Sequence, residues 1–278
     1  MGMIHHQTET RMKSIALAGA LAGTMLLSGA AAAQDDEAAR ATRWNDLAQE
    51  IFGARQLQTG DAKIALDAPE RAEDAAVVPV TIRVQNPKDV KSITLVIDDN
   101  PAPIAAHVVF GPAGDPQSLK FRVRVNQYTY MHAVEETTDG ALYETHRFVK
   151  ASGGCSAPSG SYDPQALAEI GKMKLRWLGE PQEGHAREAQ LLIRHPNFNG
   201  MQRDDATKGY TPARFLKSVD VTLGGDTVLR LDSDISLAAD PAITFGVNAP
   251  NKGKLAITAR DSDNAVFEQS FDLGPGGS

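Results

Sequence analysis

Short runs of alternating apolar and polar residues are the feature that most constrains what this chain can fold into. The clearest run is 119–125, in which apolar residues alternate with Lys and Arg. Residues 80–84 and 93–97 follow the same period of two, and turn-forming sequences such as 86–89 bound them. A period of two puts every second side chain on one face of a β-strand. Several short strands at this spacing predict a β-sandwich that ends near residue 150.

A second set of strand-like segments follows residue 162, with no long helical period between them. These segments are 173–178, 189–193, 219–223, 243–247, 255–259 and 266–271. Residues 152–162 separate the two sets, show no periodicity and consist mainly of Ser, Gly, Ala and Pro, a composition typical of linkers. The sequence therefore predicts an all-β protein with two sandwich domains, at 34–151 and 163–278, joined by a linker at 152–162.

One helix is predicted before the first strand set. Its apolar positions have the spacing i, i+3, i+4, i+7, i+8 and a glycine follows them: Trp44, Leu47, Ala48, Ile51, Phe52 and then Gly53. This spacing gives a helix one apolar face, and the glycine is suited to its C-terminal cap. We therefore expect a short amphipathic helix at this point of the chain.

The first 33 residues have the order of a secretory signal. Lys13 is followed by an apolar run at 15–27 and then by small residues, which predicts cleavage after Ala33. Met12 is an alternative start of the chain, since the Met12-Lys13 pair is the more usual beginning of such a peptide. The apolar run is too short for a stable membrane anchor. We expect an exported, periplasmic protein with no membrane insertion.

The net charge of the chain argues against two classes of binding partner. The chain carries a formal net charge of −7 at pH 7. Binding of nucleic acid or of an anionic membrane surface requires a basic face. The sequence therefore predicts neither as a partner.

The only cysteine, Cys155, lies in the linker. In an oxidising compartment a single thiol forms no internal disulfide and is blocked, paired between chains or used. Gly153 and Gly154 precede it and Ser156-Ala157 follow it, so we expect an accessible thiol on a flexible segment. A disulfide-linked homodimer through Cys155 is the alternative, and a buried structural cysteine is the least favoured interpretation.

Other chemistry has weak support. The five histidines of the exported part are dispersed, without the spacing of metal ligands, and are interpreted as structural or surface residues: His107, His132, His146, His185 and His195. The sequence contains neither a Gly-x-Ser-x-Gly nucleophile motif nor a phosphate-binding loop. We therefore predict no metal site, no cofactor and no self-contained enzyme.

A long polar segment at 195–215 falls between two strands of the second set. Long loops in small domains are often binding surfaces. A solvated loop without a binding role explains the same composition equally well.

Two stretches together resemble known families. The segment with His195-Pro196, Gly200 and Arg203-Asp204 resembles SoxZ, the partner subunit of a sulfur-oxidation carrier complex. The upstream sandwich, ending in Gly153-Gly154-Cys155, resembles SoxY, whose terminal arm carries a Gly-Gly-Cys-Gly-Gly motif. From about residue 40 onward, the chain resembles the fused SoxYZ-like carriers associated with quinoprotein dehydrogenases.

The resemblance implies two immunoglobulin-like sandwiches and a carrier role. It implies that a small sulfur-containing group is attached covalently to Cys155, with Gly153 and Gly154 as the hinge of the arm. The loop residues that it implies for partner binding are His195, Pro196, Gly200, Arg203 and Asp204. Implied partners are sulfur-oxidation enzymes, c-type cytochromes or a quinoprotein dehydrogenase, which would perform the chemistry while this protein carries the cargo.

Two features depart from the SoxY pattern. The chain continues past Cys155, so the arm is fixed at both ends, and Ser156-Ala157-Pro158 replace the following glycines. Both features shorten or stiffen the arm. A non-catalytic accessory module for a secreted quinoprotein dehydrogenase, with Cys155 incidental, is the rival interpretation.

Overall fold

The computed structural model describes residues 19–157, 167–180, 185–204, 208–248 and 253–272. These residues divide after Gly53 into two compact units. The first unit contains helix α1 (Gly19–Phe52), which begins well before the predicted apolar stripe. It ends where the sequence predicts, because Gly53 adopts φ +66° and donates its amide to the carbonyl of Gln49.

The predicted signal segment falls partly on residues 1–18, outside the described part of the chain. Its cleavage and the export of the protein stay predictions. Within the described residues, no helix combines the length and apolar character needed to cross a bilayer.

Fifteen β-strands among the described residues make up most of the second unit. In chain order they are β1 (Leu57–Thr59), β2 (Ile64–Asp67), β3 (Val78–Val84), β4 (Val90–Ile97), β5 (Ile104–Phe110), β6 (Gly114–Val123), β7 (Thr129–Thr137), β8 (Leu142–Val149), β9 (Met173–Trp177), β10 (Arg187–Ile193), β11 (Leu216–Leu223), β12 (Asp226–Ser233), β13 (Ala242–Val247), β14 (Lys254–Asp261) and β15 (Val266–Asp272). A 3₁₀ turn at Pro87–Asp89 precedes β4. The all-β fold class predicted from the sequence is confirmed.

The strands form two sheets, and each sheet continues through both halves of the chain. The nine-stranded sheet has the order β1-β8-β7-β4-β5-β12-β11-β14-β15, and the six-stranded sheet has the order β2-β3-β6-β13-β10-β9. Antiparallel pairing of β5 with β12 and of β6 with β13 joins the halves. The two sandwiches therefore share their sheets edge to edge, which removes four strand edges from solvent.

The alternating pattern of the sequence matches the burial of the strands. In β3, Val78, Val80, Ile82 and Val84 are buried, while the residues between them are more exposed. Burial of each such side chain stabilises the fold by about 1.5–3 kcal/mol. The same hydrophobic core includes Phe245 of β13, beyond the junction. The separate domain boundaries at 34–151 and 163–278 stay a prediction.

Candidate thiol site

Cys155 lies six residues after β8 and is completely buried, with 0% of its surface exposed. The expectation of an accessible thiol on a flexible linker is therefore wrong for this conformation. The physical reason is that the segment before Cys155 forms backbone hydrogen bonds to the body of the protein. Residues 158–166, the rest of the predicted linker, lie outside the described residues.

The backbone of the thiol segment, residues 152–156, docks on the chain that follows β6. The amide of Gly153 donates to the carbonyl of Asn126 at 2.8 Å, and the amide of Gly154 donates to the carbonyl of Val125 at 3.0 Å. Val125 in turn donates its amide to the carbonyl of Ala75 at 2.8 Å. Backbone hydrogen bonds therefore hold the thiol segment against residues 125–126, which are bonded in turn to Ala75.

The two glycines before the thiol are needed for different reasons. Gly153 has φ +80°, a left-handed conformation that disfavours other residues, although nothing crowds its Cα. At Gly154 a Cβ atom would lie 2.0 Å from the carbonyl oxygen of Ala75, which is a severe collision. Both glycines therefore fit the docked conformation, and their role as a hinge stays a prediction.

Arg124 supplies a buried positive charge beside the thiol. Its Nη1 donates to the carbonyl of Leu237 at 2.7 Å, and its Nη2 lies 3.4 Å from the carbonyl of Pro196. The residue is only 3% exposed, and no carboxylate pairs with it in the described part of the chain. Because a guanidinium stays protonated at physiological pH, the site holds a positive charge that no carboxylate among the described residues pairs with.

The thiol and the guanidinium influence each other electrostatically. Burial raises the pKa of the Cys155 thiol, and the charge of Arg124 opposes this rise without cancelling it. The docked cysteine is therefore a neutral thiol at pH 7. The positive charge of Arg124 would stabilise an anionic group attached to the sulfur, whereas it does not stabilise the neutral thiol in this way.

The loop at 195–204 touches the thiol segment through Asn199. The side-chain Nδ2 of Asn199 donates to the carbonyl of Cys155 at 2.6 Å. The backbone amide of Asn199 donates to Oε1 of Gln202 at 3.0 Å, which fixes the loop turn. The cysteine from the first half of the chain is therefore held by a residue from the second half.

Two of the five residues predicted for partner binding are inaccessible. His195 is 1% exposed and Pro196 is buried, so neither side chain contacts a partner in this conformation. Burial lowers the pKa of His195, although Asn197 and Asp261 partly oppose this effect. The His195 amide and carbonyl are both bonded to Asp240. These two residues support the loop from inside instead of forming its surface.

The other three residues of that prediction lie nearer the surface. Gly200 is half-buried with φ +83°, Arg203 is exposed, and the amide of Asp204 donates to the carbonyl of Gly209 at 3.0 Å. Partner binding by Gly200, Arg203 and Asp204 stays a prediction.

Sequence reasoning missed Arg124 and Asn199. Arg124 is the last basic residue of an alternating run whose Lys and Arg residues have the pattern of a solvent-facing side, but it follows the end of β6 and is buried there. Asn100 anchors this corner, donating from Nδ2 to the carbonyl of Arg124 at 2.7 Å and to Oγ of Ser236 at 2.9 Å. The sequence signal for this site is only an arginine near the end of a strand and asparagines in distant turns. Such residues are too common to identify a site.

Two histidines predicted to be scattered come together. His132 of β7 and His146 of β8 are cross-strand neighbours with ring centroids 5.3 Å apart. Glu144 lies between them and accepts from both rings. This cluster is separate from the thiol site.

Two family models match different parts of the chain. Residues 48–155 match the family model of the sulfur oxidation protein SoxY, and this match ends on Cys155. Residues 175–272 match the model of the sulphur oxidation protein SoxZ. Comparison with curated protein sequences gives no significant match.

Solved structures give partial similarities. The sulfur carrier protein SoxY from Chlorobium limicola f thiosulfatophilum is 29% identical, with 42% of this chain and 99% of that chain covered and a TM-score of 0.37. A superoxide reductase (neelaredoxin) from Ignicoccus hospitalis is 16% identical, with 32% of this chain and 79% of that chain covered and a TM-score of 0.29. The two family matches show that the chain carries a SoxY domain followed by a SoxZ domain, in a fused SoxYZ arrangement.

Proposed function

We propose that this protein is a periplasmic carrier that holds a small sulfur-containing group covalently on Cys155 and presents it to partner redox enzymes. The observation that carries the proposal is the position of the only thiol. It ends the SoxY match and is docked beside a buried arginine without a carboxylate partner in the described residues. A carrier of anionic sulfur cargo needs a thiol that becomes nucleophilic on deprotonation, and a nearby positive charge favours the anionic cargo; Cys155 and Arg124 supply these two groups.

The loading step is an oxidative conjugation. For a cargo of the thiosulfate class, the Cys155 sulfur forms an S–S bond with the outer sulfur of thiosulfate, giving a cysteine S-thiosulfonate. The thiol loses one proton, and two electrons pass to an acceptor of the c-type cytochrome class. The terminal sulfonate keeps a negative charge, which Arg124 stabilises when the loaded segment docks.

The thiol must leave its docked position to reach a partner. Release breaks three described hydrogen bonds: those of the Gly153 amide, the Gly154 amide and the Cys155 carbonyl. Local opening of a segment with so few bonds costs far less than global unfolding. Because the arm is fixed at both ends, opening lifts a loop and keeps the cargo at a high effective concentration near a docked partner.

Partner enzymes perform the chemistry in this proposal. Sulfur-oxidation enzymes and a c-type cytochrome are the first class, and a quinoprotein dehydrogenase is the second. Gly200, Arg203 and Asp204 would meet these partners, since they lie nearer the surface of the same loop whose Asn199 holds the thiol segment.

Intact-mass spectrometry tests the proposal. The full chain and its Cys155→Ser variant are produced in an exporting host given thiosulfate, and each is purified from the periplasm. We expect an adduct on the wild-type chain that a reducing agent removes and that Cys155→Ser lacks. N-terminal sequencing of the same material is expected to begin at Gln34. A bare thiol together with unchanged sulfur oxidation in Cys155→Ser would contradict the proposal.

The same material distinguishes the rival function. An accessory module for a quinoprotein dehydrogenase would co-purify with that enzyme whether residue 155 is Cys or Ser. The carrier proposal instead expects partner activity on the cargo to be lost in Cys155→Ser, while the fold is retained. A non-reducing gel also reports whether chains pair through Cys155, which the buried position of the thiol disfavours.

A further inference from the structure

A cluster of imidazole and carboxylate groups lies on one face of β7 and β8 and shares no residue with the thiol site. His132 and His146 are paired in the register of the two strands. Glu144 precedes His146 by two residues and so lies on the same face of β8. The strand pairing thus aims three side chains at one point.

The three side chains converge on a single oxygen atom. Oε1 of Glu144 lies 2.7 Å from Nδ1 of His132 and 3.1 Å from Nδ1 of His146. One ligand atom from each residue lies within 4.8 Å of the other two. With metal bonds of about 2.0–2.2 Å to nitrogen and oxygen, small side-chain adjustments would allow all three atoms to contact one cation.

Asp98 holds one of the imidazole rings from behind. Its Oδ2 lies 3.2 Å from Nε2 of His132, on the far side of the ring from Glu144. Its side chain is 2% exposed, and its Oδ1 has no hydrogen-bond partner among the described residues. A carboxylate behind a histidine fixes the ring and increases its strength as a metal ligand.

The surroundings leave one side of the cluster open. Tyr130 packs edge-on against His146, with ring centroids 5.2 Å apart, and Phe148 packs on Tyr130. The His146 side chain is 54% exposed, so solvent reaches the cluster from that side. Two imidazoles, one carboxylate and an open position form a donor set that suits Zn²⁺ and neighbouring first-row divalent ions.

We propose that His132, Glu144 and His146 bind a first-row divalent transition-metal cation, with Asp98 as a positioning residue for His132. The prediction of no metal site would then be incorrect. The sequence signal is the Glu144-Thr145-His146 triplet on a strand, where i and i+2 share a face. This site does not depend on Cys155 or on the carrier proposal.

Zn²⁺ titration of the full chain tests this site. All proteins carry Cys155→Ser, so that the thiol adds no metal ligand, and all are first treated with a chelator. Calorimetry measures the affinity and stoichiometry of Zn²⁺, and Co²⁺ absorption reports the coordination. The variants are His146→Gln and Glu144→Gln at the cluster, Asp98→Asn behind it, and His185→Gln as the matched control. Circular dichroism confirms that each variant is folded.

We expect one strong site per chain in the parent protein. His146→Gln and Glu144→Gln should each weaken Zn²⁺ binding at least tenfold, Asp98→Asn about 10–100-fold, and His185→Gln not at all. His146 is mostly exposed, so its variant should fold normally. Equal Zn²⁺ affinity in the parent and in His146→Gln, or no strong binding in the parent, would overturn the proposal. His5 and His6 are present in every variant, so any binding there does not change the comparison.

Discussion

The thiol site and the His132 cluster use buried polar groups in opposite ways. Around Cys155, the side chains of Arg124, Asn100 and Asn199 donate to backbone carbonyls, so the polar groups hold the main chain closed. Around β7, carboxylates keep unused oxygens: Oδ1 of Asp98, behind His132, and Oε2 of Glu135, on the opposite face of β7, are buried without a hydrogen-bond partner in the described part of the chain. Unused buried acceptors are costly.

This difference indicates that the thiol segment must move to expose its thiol, whereas the side chains of the His132 cluster are already assembled. The buried thiol becomes accessible only when the hydrogen bonds of the Gly153 amide, the Gly154 amide and the Cys155 carbonyl break, so the proposed carrier function requires opening. The His132 cluster already has its donors converged and its open side exposed, so its function requires only a ligand. Changes at the thiol segment should therefore alter accessibility, whereas changes at β7 should alter charge and stability.

Gly154→Ala should have the largest effect on this comparison. The added Cβ collides with the carbonyl of Ala75, so the docked segment is disfavoured by roughly 3 kcal/mol or more. Alkylation of Cys155 by iodoacetamide should accelerate at least about 100-fold. Gly153→Ala is the matched control, because its Cβ would make only an ordinary contact, 3.9 Å from Oγ of Ser156, and the left-handed backbone costs about 1–2 kcal/mol. Equal rates in the two variants would contradict the docking contacts.

Arg124→Met should raise the pKa of Cys155 further and destabilise the protein. The charge that opposes the effect of burial on the thiol is lost, and the carbonyls of Leu237 and Pro196 lose their donor. Each unpaired buried carbonyl costs about 1–3 kcal/mol. Urea unfolding measures the loss, and the ¹³Cβ shift of Cys155 against pH measures the thiol pKa. Arg124→Lys keeps the charge and should preserve more of the thiol pKa than of the stability.

Glu135→Gln should stabilise the protein at neutral pH. Burial raises the pKa of Glu135 to about 6, so between about pH 4.5 and 6 the folded state holds a proton that the unfolded state has released. Stability from this group therefore falls as pH rises through that range, by at most about 2 kcal/mol. Thermal unfolding of wild type and Glu135→Gln from pH 4 to 8 should show this decline in the wild type alone.

Glu136 provides a control, because its pKa is shifted in the opposite direction to that of Glu135. Burial raises its pKa, but Lys91 and Arg55 lower it by more, so the folded-state pKa is below the usual value. Its stabilising contribution is present at neutral pH and is lost as the pH falls through the folded-state pKa. Glu136→Gln should therefore lower stability at pH 7. If both variants shift stability in the same direction, the assignment of Glu135 as a buried acid with a raised pKa is wrong.

Asn199→Ala should have the smallest effect. It removes the hydrogen bond to the Cys155 carbonyl, a contribution of about 1 kcal/mol. Alkylation of Cys155 should accelerate about fivefold. Zn²⁺ affinity in the Cys155→Ser background should not change, since the two sites are separate. An unchanged alkylation rate would show that the second half of the chain does not hold the thiol segment.

Local sequence pattern was sufficient for the strands and for the C-terminal end of α1. Alternation identified the buried side of β3, because the side-chain period of a strand is a local property. Gly53 marked the helix end for the same reason, since its left-handed conformation is a local requirement.

Local sequence patterns do not predict contacts between residues that are far apart in the sequence. The small neighbours of Cys155 suggest flexibility and therefore predict an exposed thiol, yet Asn199, 44 residues away, helps to bury it. The spacing of His132 and His146 matches no metal-ligand motif and predicts dispersed side chains, whereas strand pairing places them side by side. The continuation of both sheets through the two halves likewise depends on edges that no local pattern identifies.

The alkylation rate of Cys155 in the native wild-type chain tests the central claim most directly. The rate is compared with that of the urea-unfolded chain after correction for the effect of urea on a free thiol. A docked thiol that reacts only through local opening should be at least about 100-fold slower in the native chain than in the unfolded chain. It should still react faster than the global unfolding rate allows. Equal rates in the native and unfolded chains would contradict the account of a closed thiol that opens to receive its cargo.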